Sequence, residues 1–287
     1  MKTILLLGST GFIGRNILPL VSQKYDVLVP RRIELNLIDK TNVDNYFKTH
    51  KIDVVIHCAA SNPAKNILDK SENFENDIIA GFDNIALHSN EVEKILYLGS
   101  GADMDKRRDL KLIKEDDFGR FEPDKNNSYA IAKYKITKKI LKSNNIYNLR
   151  IFGCYGPTDA KTKFIRDAID CCLENRAISI RQNCMFDYMY VEDLAYIMEW
   201  FIENNPKYHD YNIATGQPVS LLEVANIVAE KMNNTKPIEI ANEGWNKEYT
   251  ADNSRLLSEI CGFKFTSIEE GIEKQIKWQK ESITNVR

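Results

Sequence analysis

Two tyrosines in the stretch "SYAIAKYKITKK" (residues 128–139) each stand four residues ahead of a lysine, Tyr129 before Lys133 and Tyr134 before Lys138. On a helix such pairs share a face. A phenol beside an ammonium can give its proton to a carbonyl oxygen, because the cation favours the phenolate left behind. Positions 129 and 134 are five apart, so the two pairs point away from each other and only one can face a ligand. Small Ala130 and Ala132 surround Tyr129 and would let a flat ring come close, whereas Lys135, Lys138 and Lys139 surround Tyr134 and read as a solvated face. Taken alone, a Tyr-x-x-x-Lys spacing is more often surface than catalysis. The first pair gains weight from Ser100 in "KILYLGSGAD", a hydroxyl at the end of an apolar run, because open α/β sheets place their ligands at the carboxyl ends of strands.

The elements that must position these groups follow the chain in order. Short apolar runs, "TILLL", "DVLV", "DVVIHCAA", "KILYLGS" and "YNLRIFG", alternate with helix-length stretches at residues 12–23, 40–50, 71–89 and 128–143. Strict alternation predicts βαβ units and hence an α/β, Rossmann-type doubly wound parallel sheet with helices on both faces. Pro19 inside the first helix should cost a hydrogen bond and bend it. After about Gly153 the alternation loosens, with helical stretches near residues 164–175, 192–203, 219–231 and 268–280. We expect a cofactor domain over residues 1–155, with about 185–212 returning to it, and a smaller α/β substrate lobe over 156–184 and 213–287.

"LLLGSTGFIGRNIL" places Gly8, Gly11 and Gly14 directly after the first strand and at the start of the first helix. Glycine permits backbone angles that a Cβ forbids, and it lets a pyrophosphate approach the N–H groups at the positive end of the helix dipole. A glycine triplet alone is weak evidence; closing the first strand of a βαβ chain gives it meaning. The next strand, "YDVLVPRRIELNL", bears on the choice of cofactor. An acidic residue at its end would hold the ribose 2′-hydroxyl of NAD, while arginine suits a 2′-phosphate. Asp26 comes too early, and Arg31 and Arg32 stand at the end with no carboxylate before Glu34. NADP(H) is the expected cofactor.

Composition narrows the rest. The 287 residues carry 39 basic and 41 acidic side chains, a net charge of -2, which argues against nucleic acid or a membrane surface as the main partner. The apolar core of the N-terminal run is only "ILLL", with a glycine turn immediately after, so it reads as a buried strand rather than a signal peptide. Cys58, Cys154, Cys171, Cys172, Cys184 and Cys261 show neither metal spacing nor a disulfide framework. They read as reduced thiols of a cytoplasmic protein, all six as small core residues. His50, His57, His88 and His209 form no cluster, no metal is expected, and His57 reads as a sheet histidine near the cofactor.

The G-x-x-G-x-x-G turn, Ser100 after the fourth strand and "SYAIAK" resemble the Ser-Tyr-Lys set of extended short-chain dehydrogenases/reductases acting on nucleotide sugars. "RIELNLIDKTNVDNYFKTHKIDVVIHCAA" and "YLGS…YAIAK" are most similar to the GDP-L-fucose synthase-like 4-keto-sugar reductases. The likeness continues through "LRIFGCYGP", "FDYMYVEDLA", "YNIATGQPVSLLEVA" and "EEGIEKQIKW", nearly the whole chain. It implies an NADPH-dependent reductase of a nucleotide-linked, in particular GDP-linked, 4-keto sugar. Tyr129 would be the proton donor, Ser100 would orient the carbonyl oxygen, and Lys133 would hold the nicotinamide ribose and lower the Tyr129 pKa. The implied cofactor contacts are Gly8, Thr10, Gly11, Phe12, Ile13, Gly14, Arg31, Arg32, Ala59 and Ala60, together with Tyr129 and Lys133. On the substrate side they are Ser61, Asn76, Gly101, Ala102, Lys163, Arg166 and Arg181, the last three as candidates for the diphosphate. The resemblance also implies a homodimer formed through residues 71–89 and 128–143.

Departures from the family pattern restrict the reaction. The 4,6-dehydratases carry Thr-Asp-Glu where this chain has Ser100, Gly101 and Ala102, and nearby Asp103 is out of register and reads as a solvated loop aspartate. The cysteine and histidine that epimerise in GDP-fucose synthase fall on Ala102 and Lys163, so epimerisation should be lost. Gly153 stands for a family asparagine and Phe186 for a family arginine, which leaves the base and sugar open. The rival readings are an epimerase or dehydrogenase with tightly bound NAD, and a non-catalytic NADP-sensing regulator.

Overall fold

An uninterrupted apolar run such as "TILLL" suits a strand covered on both faces. Thr3–Leu7 forms that strand, β1, with its last four residues buried, in a computed structural model that describes residues 1–59 and 73–284. In chain order there follow α1 (Phe12–Val21), β2 (Asp26–Leu28), α2 (Lys40–Thr49), β3 (Val54–His57), α3 (Phe74–Ala86), β4 (Lys94–Ser100), β5 (Leu110–Ile113), α4 (Ser128–Ile140) and β6 (Ile146–Ile151). Next come β7 (Gly153–Tyr155), α5 (Phe164–Leu173), β8 (Ile178–Asn183), β9 (Met185–Phe186), β10 (Tyr188–Tyr190), α6 (Val191–Glu203) and β11 (Asp210–Ile213). The chain ends with β12 (Val219–Ser220), α7 (Leu221–Met232), β13 (Ile238–Trp245), β14 (Tyr249–Ala251), α8 (Ser254–Glu259) and α9 (Ile268–Thr284).

The main sheet runs β11-β6-β4-β3-β1-β2, and every neighbouring pair in it is parallel. This is the doubly wound α/β fold that the alternation predicts. From β1 the chain first builds outward to β2 and then crosses to β3 on the other side, so the switch point lies between the carboxyl ends of β1 and β3. Side chains alternate between the two faces. Ile4, Leu6, Val54, Ile56 and Leu96 pack with Ile17 of α1 and Leu194, Met198 and Phe201 of α6. Leu5, Leu7, Val55, Ile95 and Tyr97 pack with Val43 and Phe47 of α2, Ile78, Phe82 and Ile85 of α3, and Ala132 and Ile136 of α4.

A second core forms where α5, α7 and α9 bury Ile165, Ile169, Val224, Val228, Ile272 and Ile276 over Ile178 and Ile180 of β8. Between the two cores lies a short sheet in the order β12-β9-β14-β5. In it β5, from the first half of the chain, pairs in parallel with β14 from the second. This cross-connection brings residue 249 close to residue 100.

Several expectations about local structure change. Tyr134 is buried, 5 % exposed, with its ring 5.0 Å from Phe118; only Lys135, Lys138 and Lys139 form the solvated face. Cys261 is exposed, so the small-core reading fails for that cysteine; Cys171 and Cys184 are buried and the other three half-buried, and all six are free. Pro19 lies near the end of α1, where the helix stops at Val21, so its missing N–H concerns only the last turn. Residues 71 and 72 of the expected third helix lie outside the described residues. Among the described residues no helix is long and apolar enough to cross a membrane, and no group of three His, Cys, Asp or Glu could hold a metal ion.

Candidate active site

The glycine turn is shaped by contacts that leave no room for side chains. Gly8 has φ +82, and a Cβ there would lie 2.7 Å from the Ala59 nitrogen. The turn closes where the Gly11 N–H donates to Gly8 O at 3.0 Å. A Cβ on Gly14 would fall 2.3 Å from Gly8 O, so α1 can approach the turn this closely only with glycine there. Gly11 is the N-cap of α1 and no side chain caps that helix, which leaves its positive end turned to the switch point between β1 and β3. Thr10 is exposed in the turn, and Phe12 and Ile13 are half-buried on the first turn of α1. Arg31 and Arg32 are exposed just beyond β2, with Arg31 Nε 3.6 Å from Glu34 Oε2. Pro30 and Glu34, on either side of the arginines, line a cavity of about 560 Å³ between β2 and α2. Ala60 and Ser61 lie outside the described residues.

Ser100 ends β4, and the chain then makes a single 3-10 turn over Gly101–Asp103, in which Ser100 Oγ accepts the Ala102 N–H at 3.2 Å. Asn127 caps α4, its Oδ1 accepting the Ala130 N–H at 3.1 Å. This starts the helix so that Tyr129 is on the first turn and Lys133 on the next, alongside the end of β4. Ser100 stands near enough to Tyr129 to favour its phenolate form. Lys133 Nζ donates to Leu98 O at 2.7 Å and to the Tyr97 hydroxyl at 2.8 Å, and lies 5.7 Å from the Tyr129 ring centroid. Ala130 and Ala132 are both buried, and the small Ala132 packs in the core between α4 and the sheet.

Burial sets the ionisation of this pair. It drives the Lys133 ammonium down to about 7, with Asp103 and Cys58 opposing it. It also raises the Tyr129 phenol above its ordinary value, with the Ser100 hydrogen bond pulling back. A phenol lowered by Lys133 is therefore not what the protein alone provides, because that ammonium points at Leu98 O and Tyr97 and is itself destabilised by burial. Beside it, burial lowers His57, the last residue of β3, to about 4.

Asp103 is no solvated loop aspartate. It is fully buried, and its carboxylate accepts from Arg150 Nε at 2.8 Å and from the Thr137 hydroxyl at 2.8 Å. Arg150 is also fully buried, 2.8 Å from Asp210 Oδ2, and donates to Asn212 Oδ1 at 3.1 Å. Thr137 lies one turn beyond Lys133. The network therefore ties the serine turn, α4, β6 and β11 together, and removing one partner of such a group strands the other charge.

The expected substrate residues are spread more widely. Gly101 is buried beneath the Tyr249 hydroxyl and the Phe152 ring, which a Cβ would meet at 2.5 and 2.8 Å. Asn76 is exposed on the first turn of α3. Lys163 is the exposed N-cap of α5. Arg166 donates to the Asp159 carbonyl and stacks 5.3 Å from the Trp278 ring centroid, while Arg181 is on the exposed side of β8. Gly153 is required by packing, since a Cβ would lie 2.2 Å from Asp187 O. Phe186 stacks on Tyr188 at 5.4 Å.

Three side chains at the site carry no sequence signal. Tyr97 holds Lys133. Tyr249 holds its hydroxyl over Gly101. Lys106 lies 4.0 Å from the Tyr249 ring centroid, and its ammonium is disfavoured by surrounding protein and by Lys163. None of the three sits at a diagnostic spacing from another reactive residue.

A glycine turn at the switch point of a doubly wound sheet, with serine, tyrosine and lysine gathered at the end of β4, defines a dinucleotide-dependent class of protein. The chain belongs to the NAD dependent epimerase/dehydratase family, whose model matches residues 4–214. It is 26% identical to GDP-L-colitose synthase of Yersinia pseudotuberculosis over 96% of this chain and 97% of that protein. It is 28% identical to GDP-L-fucose synthase of Escherichia coli (strain K12) over 80% and 81% of the two chains. Among solved structures, a GDP-mannoheptose C4 reductase from Campylobacter jejuni with NADP bound has the same fold, with TM-score 0.83 and 19% identity over 97% of this chain and 98% of that one.

Proposed function

We propose that this chain is an NADPH-dependent reductase of a nucleotide-linked, specifically GDP-linked, 4-keto sugar, giving the 4-hydroxy sugar without epimerisation. The observation that carries the reading is Tyr129 beside Ser100 at the end of β4, with Lys133 one helical turn behind. The named relatives support the substrate class, since the colitose synthase, the fucose synthase and the heptose C4 reductase all carry GDP sugars in their names.

The glycine turn fits a dinucleotide: Gly8 and Gly14 let the turn and α1 close tightly with no side chain between them, and the N-terminus of α1, which no side chain caps, would face a pyrophosphate. Gly8, Thr10, Gly11, Phe12, Ile13, Gly14 and Ala59 would hold the cofactor, with Arg31 and Arg32 at a 2′-phosphate, and the bound nicotinamide would supply hydride. The protein's own groups manage the proton. Tyr129, kept protonated by burial, gives its proton to the carbonyl oxygen as charge gathers there. Ser100 donates a hydrogen bond to that oxygen. Lys133, on the same face of α4 one turn on, would hold the nicotinamide ribose. Ala102 offers no group to exchange a proton beside the ketone, which supports reduction without epimerisation.

We assign residues 1–155 and about 185–212 to the cofactor lobe, and 156–184 and 213–287 to the nucleotide-sugar lobe. The return of β11 to the main sheet and the separate core under α5, α7 and α9 support this division, with Leu256 and Ile260 reaching back onto the main sheet. The test is the loss of reduced-nicotinamide absorbance when the protein meets 4-keto sugars linked to GDP, dTDP and UDP, with NADPH and NADH in parallel. Oxidation of NADPH by the GDP sugar is expected. Silence across the panel, with nicotinamide cofactor already bound to the purified protein, would overturn the reading in favour of an epimerase or dehydrogenase.

A further inference from the structure

Lys133 has a buried partner that belongs to neither the serine–tyrosine–lysine set nor the glycine turn. Tyr97 lies on β4 in register with His57, the last residue of β3, so it stands level with the carboxyl end of the strand beside the switch point. Its side chain is only 1 % exposed. Phe82 of α3 and His57 meet the ring in T-shaped contacts, with centroids 5.1 and 5.3 Å away. A ring packed on two sides in a dense core turns little, so its hydroxyl is a fixed point.

A lysine side chain is a flexible four-carbon stem that ends in three N–H donors. Among the described residues, two oxygens meet those of Lys133: the Leu98 carbonyl at 2.7 Å and the Tyr97 hydroxyl at 2.8 Å. The carbonyl is main chain and would be there with any residue at 98. The hydroxyl depends on the side chain, since phenylalanine would fill the same space without it. We infer that Tyr97 is a positioning residue that, with Leu98 O, fixes the Lys133 ammonium at the carboxyl end of β4 and leaves its third N–H for the ribose of a bound dinucleotide. Without the hydroxyl the stem has one anchor, and a buried N–H loses its acceptor, which penalises the charged form. The other titratable groups around Lys133 are Tyr129 on its own helix, with its ring centroid 5.7 Å away, Asp103 of the serine turn, Cys58 just after β3, and His57. Asp103 and Cys58 favour the ammonium, and His57, lowered by burial to about 4, is neutral at working pH.

The inference rests on the reductase reading of this site, and its test separates the two. NADPH affinity is measured by fluorescence titration across neutral pH for the wild type, Tyr97→Phe, Lys133→Met and the double variant, with keto-sugar turnover alongside. Tyr97→Phe keeps the ring and removes one hydrogen bond to a charged group, so the Kd for NADPH should rise about tenfold while the KM for the keto sugar stays near wild type. Affinity should fall as the Lys133 ammonium loses its proton, at about pH 7 in the wild type. In Tyr97→Phe that fall should move to lower pH, because the ammonium has lost an acceptor; a role in packing alone would leave it in place. In the Lys133→Met background Tyr97→Phe should cost nothing further, since the group it holds is gone. An unchanged affinity, an unmoved pH profile or an equal loss in both backgrounds would overturn the inference. A wild type that binds NADPH but reduces no keto sugar would end the reductase reading, and the binding cycle would still decide the role of Tyr97. A wild type that binds neither NADPH nor NADH would end both.

Discussion

Tyr129 and Tyr134 have the same chemistry and the same spacing to a lysine, but their surroundings separate them. Tyr129 is half-buried beside Ser100 and Lys133, whereas Tyr134 is packed against Phe118 with the exposed Lys138 4.3 Å from its ring. Tyr129→Phe should lower turnover by about 10²–10⁴, the usual worth of a general acid, and leave NADPH binding nearly intact in a fluorescence titration. Tyr134→Phe should keep turnover close to wild type. Equal losses from the two variants would mean that the catalytic pair has been misassigned.

At the level of elements, the serine turn is held by buried charge. Asp103, Arg150 and Asp210 join the end of β4 to α4, β6 and β11. Burial raises the Asp103 carboxyl, and Arg150 pulls it back toward the charged form. Asp103→Ala leaves the buried guanidinium short of a counter-charge, so urea unfolding should show a loss of about 3–5 kcal/mol. Asp103→Asn, which keeps the shape, should lose less. A midpoint equal to wild type for the alanine variant would show that the turn is held by other contacts.

Over the whole molecule, stability should follow pH through His57. Burial holds this imidazole neutral, with its pKa lowered from 6.5 to about 4. Between those values the unfolded chain binds more protons than the folded one. Its share of stability is therefore complete above about pH 6.5 and is lost as pH falls toward 4, by up to roughly 3 kcal/mol. His57→Phe should flatten the unfolding free energy over that window relative to wild type, and parallel curves would refute the assignment. We also propose a homodimer through α3 and α4. The outer face of these helices carries Lys135–Glu75 and Lys139–Asp83 pairs at 2.6 Å, so the interface would be polar. Sedimentation should give twice the chain mass; a monomer at micromolar concentration would leave this face simply solvated.

Local pattern made much of this protein legible in advance. Strand and helix order follows from apolar periodicity, and the glycine turn and Ser100, Tyr129 and Lys133 follow from short spacings whose chemistry depends on near neighbours. The contacts that tertiary structure alone decides join residues far apart in the chain. Asp103 precedes "MDKRRD" and reads as solvated until Arg150 meets it in the core. Tyr249 stands in no motif, and only the pairing of β5 with β14 carries its hydroxyl over Gly101. Burial, which depends on the whole fold, raises the Tyr129 phenol and lowers the Lys133 ammonium. Spacing along a chain reports which groups share a face. It does not report how much water they lose, and that loss sets their ionisation and their partners.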